Sequence, residues 1–272
     1  MLETGSNIQS NYTLSIRLST DGFSFVHGNP GNLSSFKHKL FKVEKQAAYL
    51  EKLRTAINKL SFLKKGTQTD VNILVEGDPM MVPPGEYTAT ELTELYAFGH
   101  GASSDVKLLT NTLSCHTMEV FPIDAGLYIY LSQRFPHAQY YASITPVMEH
   151  FLPQKGEDAQ YGALYAYLHE NKLSVFVLKE DAVLYSNQFT LTHREDAPFF
   201  ILSVWKTLKM NQNRDSLYIM SDVPADGVIR ELTTFVAHVM VVNPRTDFPN
   251  SPIARKGEIQ FDMQTLINAL IL

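Results

Sequence analysis

YTLSIRLSTDGFSFVH, residues 12–27, is the stretch from which the fold can be read. From Tyr12 to Ser19 apolar and polar residues alternate: Leu14, Ile16 and Leu18 face one way, Ser15 and Arg17 the other. A period of two marks a half-buried strand. Thr20-Asp21-Gly22 follows, and Asp-Gly accepts the positive φ angles that a type I′ hairpin turn demands. Phe23 to His27 returns as the second strand. After a Gly/Pro/Asn-rich loop at residues 28–32, an edge strand is expected from Phe36 to Val43. Gln46 to Leu63 reads as an amphipathic helix, with Leu50, Leu53, Ile57 and Leu60 on one side and Lys64-Lys65-Gly66 as its stop. Val71 to Val75 is almost wholly apolar, the pattern of a strand covered on both faces.

The same order recurs later in the chain. Leu164, Ala166 and Leu168 repeat Leu14, Ile16 and Leu18 at an offset of 150 residues. His169 to Lys172 takes the place of the turn, and Leu173 to Leu178 returns. Val183 to Leu191 is a third strand, and Ala197 to Met210 is a helix with Phe200, Val204 and Leu208 on one side. Leu217 to Met220 is a buried strand, and Asp226 to Val236 is the next helix. Each half reads βββαβα, which predicts an α/β protein of two similar halves, residues 1–152 and 153–272.

Between the repeats the first half holds extra material. Thr88 to Phe98 is a short helix that stops at Gly99, and Val106 to Leu109 with Cys115 to Phe121 forms an antiparallel pair. Ala125 to Arg134 is a helix closed by Pro136, Gln139 to Ala142 a strand, and Thr145 to Phe151 a helix that crosses to the second half. Residues 78–122 or so therefore read as an inserted subdomain. Asn243 to Lys256 is expected to be a loop, and Ile259 to Leu272 is apolar enough to dock on the body.

At 272 residues with 44% hydrophobic and 19% charged residues, the chain is globular rather than disordered or a coiled coil. The net charge of −5 comes without a basic block, so no nucleic-acid partner is expected. A single cysteine, Cys115, excludes a disulfide within the chain. Residues 1–11 lack a signal-peptide pattern, and no apolar run approaches the roughly 20 residues that span a bilayer. The expected location is the cytoplasm.

The duplicated meander, helix, strand and helix resemble the ribonuclease-H-like fold of actin, sugar kinases and Hsp70-type chaperones. The phrases LSIRLSTDGFSF (residues 14–25) and GEIQFDMQTLI (residues 257–267) are similar to a bacterial domain family of unknown function with that actin-like ATPase fold. The resemblance implies a nucleotide cleft between the halves. Active members carry an acidic residue at the end of the first strand, then a turn whose N–H groups hold phosphate while the carboxylate organises Mg²⁺. Here Asp21 sits at the turn tip beside Gly22, and the strand end offers Arg17 and Ser19. The second turn reads His169-Glu170-Asn171-Lys172, without glycine. The adenosine loop reads Ser221 to Gly227, with one late glycine.

Each such residue has a structural reading beside the functional one. Asp21 and Gly22 suit a hairpin turn, Glu170 and Asn171 suit another, and Asp226 suits a helix N-cap. Gly99-His100-Gly101 suits a helix end, and Cys115-His116, read as neighbours on a strand, point to opposite faces and leave a buried thiol. Phe199, Phe200, Trp205, Tyr128 and Tyr130 fall at core positions. No metal-binding, Walker A, serine-elbow or Gly-x-Gly-x-x-Gly motif occurs.

The reading these residues support is a non-catalytic actin-like scaffold or regulatory protein. It would contact another protein through the inserted subdomain, as bacterial cell-division and pilus-assembly actin relatives use theirs, or through the loop from Arg245 to Arg255. The alternative is an ATP-binding protein, an ATPase or small-molecule kinase using ATP and Mg²⁺. There Asp21 and Gly22 would organise metal and phosphate, Asn171 and Lys172 would hold phosphate, and Asp222 or Asp226 would face the cleft. A ribonuclease-H-like nuclease is the weakest reading, because Leu14 to Leu18 holds no carboxylate.

Overall fold

A computed structural model describes residues 12–43, 48–62, 69–83, 85–101, 105–152, 162–179, 182–251 and 253–271. The opening motif folds as an antiparallel meander of β1 (Tyr12–Ser19), β2 (Gly22–Asn29) and β3 (Asn32–Lys42). Helix α1 (Tyr49–Asn58) leads to β4 (Thr69–Val75), which lies parallel to β1. Then come β5 (Met80–Val82), α2 (Ala89–His100), β6 (Val106–Thr112), β7 (Met118–Asp124), α3 (Ala125–Arg134), β8 (Gln139–Ala142) and α4 (Thr145–Phe151). The second meander is β9 (Ala163–His169), β10 (Lys172–Lys179) and β11 (Ala182–Thr190). It is followed by α5 (Ala197–Thr207), β12 (Ser216–Ser221), α6 (Asp226–Leu232), β13 (His238–Val241), α7 (Pro244–Asp247) and α8 (Phe261–Ile271).

Two five-stranded sheets of one topology result, β3-β2-β1-β4-β8 and β11-β10-β9-β12-β13, with a separate sheet β5-β7-β6. The repeat survives in the register. Leu14 and Ile16 lie opposite Val71 and Ile73, as Leu164 and Ala166 lie opposite Leu217 and Ile219. The repeated leucine faces look outward, onto α1 and α3 in the first sheet and onto α5 and α6 in the second.

The expectation of a half-buried first strand is corrected. β1 is buried on both faces, and Arg17 is only 1% exposed. The cause lies at the far end of the sequence. Helix α8 lays Met263, Leu266 and Ile267 on Val26, Phe36 and Leu74, covering the face that alternation had assigned to solvent. Helix α4 packs beside α8 and covers the second sheet with Val147, Met148 and Phe151.

The first turn also differs from its expected type. Among the described residues positive φ angles occur at Ala48, Gly101, His116, Glu170 and Lys209, and not at Asp21 or Gly22. The turn is therefore not type I′. Gly22 is required by crowding, since a Cβ there would stand 2.2 Å from the Phe41 carbonyl oxygen of β3.

Local boundaries shift for identifiable reasons. Thr88 caps α2 in a reciprocal box with Glu91, and the helix runs through Gly99 to end at Gly101, whose φ is 84°. Cys115 and His116 lie in the β6–β7 turn rather than on a strand, with His116 at φ 64° and the thiol half-buried. Phe199 is 70% exposed, outside the core that helical spacing had assigned it. The loop after Asn243 contains α7, started by the Asn243 side chain accepting from Arg245 N–H at 3.0 Å. Helix α1, expected to run to Leu63, ends at Asn58 with Lys59 as its cap, several residues short of the expected stop at Lys64-Lys65-Gly66; that stretch and the expected start at Gln46 lie outside the described residues.

Glu119 of β7 ties the small sheet to the main body. It is fully buried, and the Thr145 hydroxyl at the start of α4 reaches its Oε2. That hydroxyl has one proton and two acceptors, Glu119 Oε2 and Asn111 Oδ1 (2.9 Å), so a protonated Glu119 satisfies both. Burial accordingly pushes the Glu119 carboxyl up to about 7.

Gly22→Ala should cost about 1–3 kcal/mol in urea unfolding, because the strands must part. Asp21→Ala, at the exposed tip, should cost less than about 1 kcal/mol. Glu119 holds its proton in the folded state to about pH 7 and releases it near 4.5 when unfolded. Its contribution is therefore full below pH 4.5 and lost as pH rises through 7. Unfolding of Glu119→Gln and wild type, compared at pH 4.5 and pH 8, should show the difference moving by about 3 kcal/mol in favour of glutamine at the higher pH.

Candidate functional site

The carboxyl ends of β1, β4, β9 and β12 are where an open α/β sheet builds its sites. Glu76 is the first residue after β4, and Asp222 the first after β12. Their N–H groups donate to Leu18 and Leu168 carbonyls at 3.0 and 2.9 Å, so they occupy matching places in the repeat. Arg17 and Tyr167 match in the same way at the 150-residue offset.

These four side chains meet between the sheets. Arg17 Nη1 donates to Glu170 Oε1 on the β9–β10 turn at 2.7 Å, and Arg17 Nε donates to Asp262 Oδ2 in the first turn of α8 at 2.7 Å. The Tyr167 hydroxyl donates to Asp222 Oδ2, and Asp222 Oδ1 accepts from Phe261 N–H at 2.9 Å. Asp222 is thus an exposed residue whose carboxylate is engaged inward. Lys172 Nζ stands 3.0 Å from Glu76 Oε1 and 3.9 Å from Asp78 Oδ1, crossing from the second sheet to the first. Gln188 Nε2 crosses the same way, donating to Gly77 O at 3.0 Å and Asp78 Oδ1 at 2.9 Å.

Burial and mutual fields set the charges. Burial alone would lower the Arg17 pKa, but Asp262, Tyr167, Glu170 and Glu76 outweigh it and hold the guanidinium charged. Burial pushes Glu76 up, while Lys172 and Arg17 pull it down further, so it stays ionised. Burial raises Glu170 and Asp262 despite Arg17, and it raises Asp222, next to Asp262, to about 7. His169 is buried beside Arg17 and pushed down to about 3, so its imidazole is neutral.

Of the residues singled out by sequence, Asp21 and Asp222 do come together. With Arg17, Ser24, Lys42 and Glu170 they line a hollow of about 190 Å³. Gly22 lies under β3, and Lys172 is spent on Glu76. Asn171 sits in the turn, exposed, its carbonyl accepting from Leu191 N–H at 2.7 Å. Asp226 is exposed and joins none of these contacts. It is the first residue of α6 rather than its cap, which is Ala225 without a side-chain bond. Sequence reasoning missed Glu76, His169 and Asp262, and left Arg17 facing solvent. The offset that matched the leucines would also have matched Arg17 with buried Tyr167.

The nucleotide and Mg²⁺ implied by the resemblance do not fit these residues. A guanidinium stands where the metal-organising acid belongs, and Glu170 points a carboxylate to where a phosphate would lie. The hollow is smaller than the roughly 300–1,000 Å³ of ligand pockets. A larger one of about 390 Å³, lined by Leu18, Tyr49, Glu76, Asp124 and Leu127 among others, has no cationic side chain among its described lining residues to meet a phosphate.

Comparison with known proteins agrees with the architecture. A model of DUF3822, described as a protein of unknown function, matches residues 3–239. A Bacteroides thetaiotaomicron protein with actin-like ATPase fold and unknown function is similar at 26% identity and a TM-score of 0.78, over 98% of this chain and 99% of that one. The PilM–PilN type IV pilus biogenesis complex is similar in fold alone, at 12% identity and a TM-score of 0.52, over 96% of this chain and 97% of that one. No curated protein matches the sequence. The fold is the actin-like ATPase fold. Among the described residues no helix is long and apolar enough to cross a membrane.

Arg17→Met would leave two buried carboxylates without their cation. Urea unfolding should show a loss of about 3–5 kcal/mol. Adding Asp262→Asn should recover part of it, because one orphaned charge is then gone.

Proposed function

The chain belongs to the DUF3822 family, and we propose that it is a non-catalytic actin-like scaffold or regulatory protein acting through protein contacts. One observation carries this reading. Buried Arg17 holds Glu170 of the opposite turn and Asp262 of α8, so the cleft between the sheets is filled by the chain's own charges. The cations an ATPase would use on phosphate, Arg17 and Lys172, already have carboxylate partners.

In this reading residues 1–152 and 153–272 are the two halves, and the insert at about 78–122 is the contact module, in a protein of the cytoplasm. Its helix α2 presents Phe98, 95% exposed, and Leu95, 43% exposed, one turn apart on its surface. Apolar side chains so placed suit a partner surface. The PilM–PilN neighbour is itself a complex, which is in keeping with such a role.

Isothermal titration with ATP and Mg²⁺ tests the proposal. No heat of binding is expected up to millimolar nucleotide. Micromolar affinity would overturn it.

A further inference from the structure

Below the Arg17 network, three electron-pair donors converge from both sheets. A ring nitrogen of His169 and one carboxylate oxygen each of Glu76 and Glu170 lie within 4.8 Å of one another. Glu76 directly follows the first sheet's β4, whereas His169 ends β9 and Glu170 begins the turn after it. His169 is 1% exposed, and among the described residues its Nδ1 has no hydrogen-bond partner; neither has Glu170 Oε2. Glu76 Oε1 has no hydrogen-bond donor of its own beyond the Lys172 ion pair.

The neighbours fix which nitrogen of His169 is free. Gln188 gives its Nε2 protons to Gly77 and Asp78, which leaves its Oε1 as an acceptor for the Ser174 hydroxyl at 3.3 Å. With its one proton given to Gln188, Ser174 Oγ accepts from His169 Nε2 at 3.2 Å. The Nδ1 lone pair is then bare in a buried place. A buried acceptor without a donor is costly, and two of them beside a third held only by the Lys172 ammonium call for a positive partner.

We propose that Glu76, His169 and Glu170 form a protein-only site for a divalent transition-metal ion of the Zn²⁺ type, clasping the two sheets together. One neutral imidazole and two carboxylates are a donor set such ions accept, with water in the remaining position. The Ser174 contact behind the ring is the outer support that metal-binding histidines require. The ligand atoms must draw in from 4.8 Å to the roughly 3–3.5 Å spacing that bonds of about 2.0–2.2 Å require. Lys172 is the internal competitor. Its ammonium sits on Glu76 and has Asp78, which is 61% exposed, as a second carboxylate within 3.9 Å.

The test uses the full chain, freed of metal by a chelator and titrated with ZnCl₂ in the absence of nucleotide, so its result is independent of the scaffold reading. One equivalent of Zn²⁺ should bind, with a rise in thermal midpoint. Glu170→Gln and His169→Ala should each weaken binding at least tenfold. Lys172→Met should tighten it, an outcome that a purely structural lysine would not give, and this variant keeps the test sound if His169→Ala fails to fold. The proposal is overturned if neither wild type nor Lys172→Met takes up one equivalent. It is equally overturned if Glu170→Gln retains wild-type affinity, as metal on surface histidines would, or if Lys172→Met binds no more tightly.

Discussion

A guanidinium with almost no contact with water is tolerable only where anions meet it, and Arg17 takes both of its anions from distant parts of the chain. Glu170 comes from the opposite sheet and Asp262 from the last helix. Three pieces far apart in the chain must therefore arrive together, or a charge is left bare in the interior. Removing charges from water is expensive, so such pairs add little net stability over a well-packed apolar core. What they fix is placement. The separation of the two sheets and the seating of α8 are set by the same few atoms.

The repeat shows how this arrangement fits a duplicated fold. At the 150-residue offset, Thr20 and Gly22 of the first turn match Glu170 and Lys172 of the second. The first turn is uncharged at these places. The second supplies an anion for Arg17 and a cation for Glu76, both on the opposite sheet. Divergence of the two halves is thus complementary rather than random. The departures at Arg17, Glu170 and Lys172 each have a partner across the cleft.

Much of the fold was legible because local rules suffice for it. The strand Gln139–Ala142 and the helices Ala125–Arg134 and Thr145–Phe151 stand where alternation, capping and proline place them. The leucine faces of β1 and β9 point where a period of two says. Arg17 was misread because alternation identifies a polar face without saying whether water or another helix covers it. The apolar run after Ile259 announced a docking segment, but neither its helical form nor its seat. The site was harder still. Asp21 and Asp222 were found through the resemblance, whereas Glu76, His169 and Asp262 belong to no motif and become neighbours only in three dimensions. Gly22 was rightly marked as special, but for crowding under Phe41 rather than for its φ angle.

The seating of α8 has a bearing on how the protein is made. Arg17 and Asp262 are 245 residues apart, and a ribosome adding about 5–20 residues per second needs on the order of 10–50 s to pass from one to the other. During that interval the first sheet can close over α1 and α3, but Val26, Phe36 and Leu74 have no cover. Until α8 emerges the nascent chain therefore carries an apolar face, beside an Arg17 that can pair with Glu170 but not yet with Asp262. Transiently exposed apolar surface of this kind favours aggregation, so loss of α8 alone would uncover Val26, Phe36 and Leu74.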